Sequence, residues 1–173
     1  MNGLIFSKIL REYIIHTILS STNYDAPFGD VWMFVQMVES GEIYDFMMKK
    51  IGIRTSRNSF KKKFFAEVFY AKNGVTSVLS KQFGVLFPNV MKTIIHCKRD
   101  DYRDLPLRMQ RIEAEIMVND VCFCLSQLGI PFLPIHDSIM VPPRYAEQVG
   151  GIIKNAFSKV GLFPTIKKFG TKQ

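Results

Sequence analysis

The sequence is poor in the residues that build covalent or metal-linked frameworks. Its three cysteines, Cys97, Cys122 and Cys124, form no CxxC pair, and three is an odd number. Neither a disulfide scaffold nor a zinc site is indicated, and a reducing compartment, by default the cytoplasm, is expected. Long apolar runs are missing too. The early stretch LIFSKILREYIIHTIL is interrupted by Lys8, Arg11 and Glu12, so it reads as an amphipathic helix, not a signal peptide or membrane span, and no run of about 18 apolar residues occurs elsewhere. Acidic residues are scarce: 15 Asp and Glu stand against 23 Lys and Arg, a formal charge of +8 that favours a polyanionic partner such as nucleic acid. There is no internal repeat and no low-complexity linker.

What the chain does contain is apolar bulk. Hydrophobic residues make up 47% of its 173 positions, with 15 Phe and 9 Met, a composition opposite to that of disordered segments. The length suits one domain, able to bury roughly 70% of the unfolded surface.

Periodicity predicts a mostly helical α+β chain. Helices are expected over 4–20, 31–39, the stretch EIYDFMMKKI and 57–71, with Thr55 and Ser56 as capping residues before the last of these. Others follow over 76–83, from FPNV onward, from Leu107 to Gly129 with Met109, Ile112, Ile116, Cys124 and Leu128 inward, and over 144–159 with Val149, Ile152, Ile153, Ala156 and Phe157 inward. A hairpin is expected around 130–142, in which Pro131 and Pro134 push the first strand toward an edge, and LFPTIKKFG reads as a last strand. Trp32, His16 and His96 read as core residues. Glu113 and Glu115, two apart on a helix, diverge too far to share a metal.

Two features carry chemistry. In RNSFKKKFFAEVFYAKNG, Arg57, Lys61, Phe65 and Phe69 recur every four residues. Each such step overshoots a helical turn by about 40°, so the side chains form a slowly winding stripe about 18 Å long, cations at one end and rings at the other. A nucleoside triphosphate has the same polarity: Arg57 and Lys61, above the positive end of the helix dipole, would hold phosphates while the rings face sugar and base. The competing reading is an ordinary amphipathic helix with Phe65 and Phe69 in the core and KKK on a solvated face. The second feature is PIHDSIMVP, where Asp137 stands between two short β-favouring runs. It is either a turn residue or a metal-binding carboxylate held out on a rigid hairpin.

In that order, a basic stripe R-x-x-x-K-x-x-x-F, a long helix carrying Gln110, and an apolar hairpin with His136-Asp137 at its tip resemble the fingers and palm of family A DNA polymerases and their single-subunit RNA polymerase relatives. Arg57, Lys61 and Phe65 match motif B, and His136-Asp137 matches motif C. LFPNV, LPLRMQRIEAEIMV and VESGEIYDFM are similar to segments flanking those motifs, and the likeness covers roughly residues 31–165. The resemblance implies one right-hand polymerase region, with fingers helices at about 55–90 and the palm helix and hairpin at about 105–173. It implies template-directed nucleotidyl transfer from deoxynucleoside triphosphates on a DNA primer–template, with two magnesium ions. Asp137 would ligate metal, and Arg57 and Lys61 would neutralise the triphosphate. Phe65, with Phe69 or Tyr70, would pack on the nucleotide, while His136, Gln110 and Lys72 would contact primer or template. A phage or mobile-element origin would suit it.

The departures are informative. Motif B ordinarily continues to Tyr-Gly, whereas Phe69-Tyr70-Ala71 follows here. Either Phe69 takes the tyrosine position without a hydroxyl, or Tyr70 serves from a helix shifted by one residue. Ser138 replaces the usual Glu and leans toward the RNA polymerases; Phe65 leans toward DNA synthesis. The family's motif A aspartate has no good match: Asp25 and Asp30 lie in or beside a Pro/Gly loop close to motif B. The chain is therefore expected to be a carboxy-terminal polymerase part that needs an upstream segment or partner for its second carboxylate, and to turn over little alone. The alternatives are a single-subunit RNA polymerase-like enzyme and a degenerate, non-catalytic nucleic-acid-binding domain.

Overall fold

The computed structural model describes residues 5–12, 29–135 and 138–170. Among these, residues 9–109 form one compact unit, and residues 5–8 with those from 110 onward form another.

Glycines punctuate the helices of the first unit. After a helix over 5–12 (α1), the next, α2 (Gly29–Ser40), is followed by Gly41 at φ +81°, and α3 (Ile43–Ile51) by Gly52 at φ +71°, whose N–H donates to Met48 O. Both lie in the left-handed region, where a side chain is penalised and glycine is not. Ser56 then starts α4 (Arg57–Phe64) by accepting from Ser59 N at 3.2 Å. α4 passes directly into a π-helical turn, Phe65–Phe69. Ser77 and Ser80 make a reciprocal capping box at the start of α5 (Val78–Leu86), and Pro88 opens α6 (Pro88–Cys97) at a position where its missing N–H costs nothing.

The phenylalanines are the core of this unit. Phe34, Phe60, Phe64, Phe69, Phe83 and Phe87 are all fully buried. Phe34 meets Phe83 and Phe87 edge-on at 5.8 and 5.5 Å, and Phe64 meets Phe69 and Phe83 at 5.6 and 5.4 Å, the geometry that ring quadrupoles favour.

α7 (Asp104–Ala114) leads into a second π-helical stretch, Glu115–Cys122, and then α8 (Phe123–Gln127). The wider π-turns change the buried register: Leu105, Met109, Ile116, Val121 and Leu125 are buried, whereas Leu128 is exposed, against the expectation from a uniform 3.6-residue period. In the second unit α9 (Ala146–Ser158), preceded by a 3-10 turn at Pro143–Tyr145, packs on the π-helical stretch through Val149, Ala156 and Phe157. Ile152 and Ile153 are only half-buried.

The hairpin is the sheet: β1 (Leu133–Ile135) and β2 (Ser138–Met140) pair antiparallel in the register Leu133 with Met140, Pro134 with Ile139 and Ile135 with Ser138. The described part of the chain is thus helical with one small antiparallel pair, the coarse α+β architecture expected.

Four further expectations are corrected. LFPTIKKFG forms no strand; residues 162–170 carry no regular structure, and every described strand residue belongs to β1 or β2. Trp32 is 54% exposed, since the inward face of α2 is taken by Val31, Phe34, Val35 and Val38. His96 is exposed because α6 buries Val90, Thr93 and Ile94 instead. The helix from Arg57 is not uniformly α, with consequences described below. His16 and Asp25 lie outside the described residues.

Candidate functional site

The helix that starts at Arg57 breaks a local rule. Its first turn holds Arg57 and no acidic residue, although a cation near a helix N-terminus opposes the dipole by about 0.3–1 kcal/mol; Lys61, Lys62 and Lys63 stand in its last turn, where the dipole favours them. Arg57 is held there by neighbours: its Nη2 donates to Gly41 O at 2.5 Å, its Nε lies 3.4 Å from Asp45 Oδ2, and its guanidinium sits 5.3 Å from the centre of the Tyr44 ring. The exposed pair with Asp45 contributes little; the ring contact and the carbonyl fix the direction of the group. Lys61 has no hydrogen-bond or ion-pair partner among the described residues and is half-buried. Lys62 and Lys63 are exposed, Lys63 lying 3.7 Å from Glu67, so KKK is indeed largely a solvated face.

The helix beyond Phe64 does not keep the α-period. Tyr70 N donates to Phe65 O at 2.9 Å, a bond five residues long, where an α-turn would have bonded Phe69 to Phe65. The extra residue carries Phe69 into the core, at 0% exposure, and leaves Tyr70 half-buried one turn beyond Phe65, their rings 5.8 Å apart. The ridge therefore runs Arg57, Lys61, Phe65, Tyr70. Phe65 itself is 5% exposed and stacks on Phe69 at 5.0 Å, so it supports the ridge more than it projects from it. Phe69 is not a surface residue of the stripe, as a period of four required.

Tyr44, on α3, is the residue that sequence reasoning missed. Its hydroxyl is pushed up to about 12 by burial, which outweighs the lowering by Arg57; the phenol of Tyr70 raises it further. Arg57 and Tyr70, at opposite ends of the ridge, thus both act on this one phenol. Tyr44 also meets Phe64 edge-on at 5.9 Å. Its only signal in the sequence was membership of VESGEIYDFM.

Other predicted site residues are more scattered. Lys72 is exposed, its Nζ 5.2 Å from the Tyr102 ring. Gln110 is exposed on α7. His136 and Asp137 lie outside the described residues; of the segment beside them, Ser138 Oγ donates to Ile135 O at 2.8 Å.

Asp30 is committed elsewhere. Its carboxylate accepts from Asn89 N and Asn89 Nδ2, both at 2.8 Å, and from Val90 N at 3.4 Å, so it caps α6 from another helix, where Phe87 offers no capping side chain. Among the described residues no three His, Cys, Asp or Glu side chains gather as a metal-binding group. The carboxylate of Asp30 is engaged by three donors at the start of α6.

No protein-family model, no curated protein and no solved structure matches this chain.

Proposed function

We propose that the chain is the catalytic region, or part of it, of a template-directed DNA polymerase, and that the ridge Arg57–Lys61–Phe65–Tyr70 receives the incoming deoxynucleoside triphosphate. The observation that carries this is Arg57 at the first position of a helix with no acidic residue in its first turn, followed one turn on by Lys61 and then by a π-turn that brings a phenol, instead of a phenylalanine, to the ridge's far end. Sequences seldom break a local rule without a compensating gain, and functional sites are where they do. A triphosphate over Arg57 and Lys61 supplies that gain, since it meets two cations and the positive end of the dipole together. Tyr44 holds the guanidinium from beneath, and Phe65 makes the platform stiff. Magnesium, when bound by Asp137 and a second carboxylate, would stabilise the attacking and leaving oxygens of the displacement.

The engagement of Asp30 with α6 favours a second reading, a non-catalytic domain that binds nucleic acid through the same basic face. Ser138 keeps a single-subunit RNA polymerase-like activity as the third.

Single-turnover extension separates them: protein in excess over a labelled primer–template, with deoxy- or ribonucleotides and magnesium, in the presence of a polymerase segment supplying a motif A aspartate. Addition of deoxynucleotide is expected, lost in Asp137→Asn, with apparent nucleotide affinity weakened about tenfold or more in Arg57→Gln. Addition by Asp137→Asn at the parent rate overturns the proposal, as does salt-sensitive DNA binding without any addition.

A further inference from the structure

The turn that brings Tyr70 to the ridge is held from outside its own helix. The last four carbonyls of a helix have no intrahelical partner, and two carbonyls at this helix end, those of Val68 and Ala71, meet the ammonium of Lys98. Its Nζ donates to them at 3.2 and 2.8 Å. Lys98 stands just past the end of α6 and is 5% exposed. The exchange is reciprocal: Asn73, just beyond Tyr70, donates its Nδ2 to Ile95 O and Lys98 O, both at 3.0 Å, closing the end of α6. Each helix is terminated by a side chain from the other.

A buried ammonium is costly, and burial draws the pKa of Lys98 below the ordinary lysine value. A methionine there would pack without that cost. The two carbonyls that Lys98 holds flank Phe69 and Tyr70, and Val68 O belongs to a buried residue that water does not readily reach. Without a donor, the helix end could relax to the shorter α-register, which would exchange Phe69 for Tyr70 on the ridge. We infer that Lys98 is a positioning residue for Tyr70: by clamping Val68 O and Ala71 O it fixes the five-residue turn that selects a phenol for the nucleotide-facing ridge. The positioning rests on the geometry alone; its effect on nucleotide rests on the polymerase reading.

Lys98→Met keeps the apolar stem and removes the donors. Its effect is read first without nucleotide, from the NMR ring signals of Tyr70, assigned with Tyr70→Phe, and from exchange of the Tyr70 amide. Displaced ring signals and amide exchange at least about tenfold faster are expected. Deoxynucleoside triphosphate affinity should then fall about tenfold, with no further loss when Tyr70→Ala is added, because the two residues act as one unit. Unchanged Tyr70 signals and protection in folded Lys98→Met overturn the inference, as does additive loss in the double variant. A displaced Tyr70 with unchanged nucleotide affinity supports the clamp and overturns the ridge as a nucleotide site. Should Lys98→Met fail to fold, Lys98→Gln, which retains one donor group, is judged by the same Tyr70 signals and amide protection.

Discussion

The amide of Tyr70 donates to the carbonyl of Phe65, five residues back, at 2.9 Å. That single bond sets which aromatic side chain faces the core and which follows Lys61 along the surface.

Phe69 and Tyr70 should therefore respond oppositely to substitution. Phe69→Ala empties a fully buried site in the phenylalanine core and is expected to cost about 3–5 kcal/mol in urea unfolding. Tyr70→Phe should cost under about 1 kcal/mol. Phe69→Tyr should destabilise by about 1–3 kcal/mol, because it drives a hydroxyl into the core. If Phe69→Tyr proves neutral, the assignment of the two rings is reversed.

Asp30 should behave as a helix cap. Asp30→Ala removes an acceptor for three donors at the start of α6 and is expected to lower stability by about 1–2 kcal/mol. Magnesium-dependent nucleotide binding should be unchanged once the protein is compared well below its unfolding midpoint. A selective loss of magnesium dependence with full stability would return Asp30 to the metal site.

Tyr44 makes stability depend on pH at the alkaline end. Its folded pKa is pushed up to about 12, above the ordinary tyrosine value of 10.0, so between these values the folded state binds more protons than the unfolded state and stability falls as pH rises. The contribution, on the order of 2 kcal/mol, is complete below pH 10 and lost as pH passes toward 12. Absorbance at the phenolate band should show a late titration step toward pH 12, and Tyr44→Phe should remove it. A titration curve left unchanged by Tyr44→Phe in that range would contradict the burial described for Tyr44.

The parts of the fold that were legible are those set by local chemistry. Gly41, Ser56 and Pro88 mark helix ends because left-handed backbone, a side-chain acceptor and a missing N–H act within a few residues; the cap at Ser77 falls inside the helix expected from residue 76. The π-turns were not legible, since nothing in FAEVF or EIMVNDVC distinguishes a five-residue bond from a four-residue one. In FAEVF the choice is held by Lys98, thirty positions from Val68. Trp32 and His96 were misplaced for a related reason: apolar neighbours in sequence do not show which face of a helix is covered. Of the proposed ridge, the order Arg57, Lys61, Phe65 comes from spacing, whereas the contacts of Tyr44 and Lys98 run between elements and no spacing records them.

The proposed polymerase function requires one triphosphate to be met by both the ridge and the His136-Asp137 segment. The most direct test is paramagnetic broadening of amide signals by manganese added as its complex with a deoxynucleoside triphosphate. The account predicts that signals of Arg57–Lys61 and of Ile135–Ser138 broaden together in one titration, and that Asp137→Asn abolishes both effects at the same concentration. Broadening confined to either segment, or unchanged by Asp137→Asn, would contradict it.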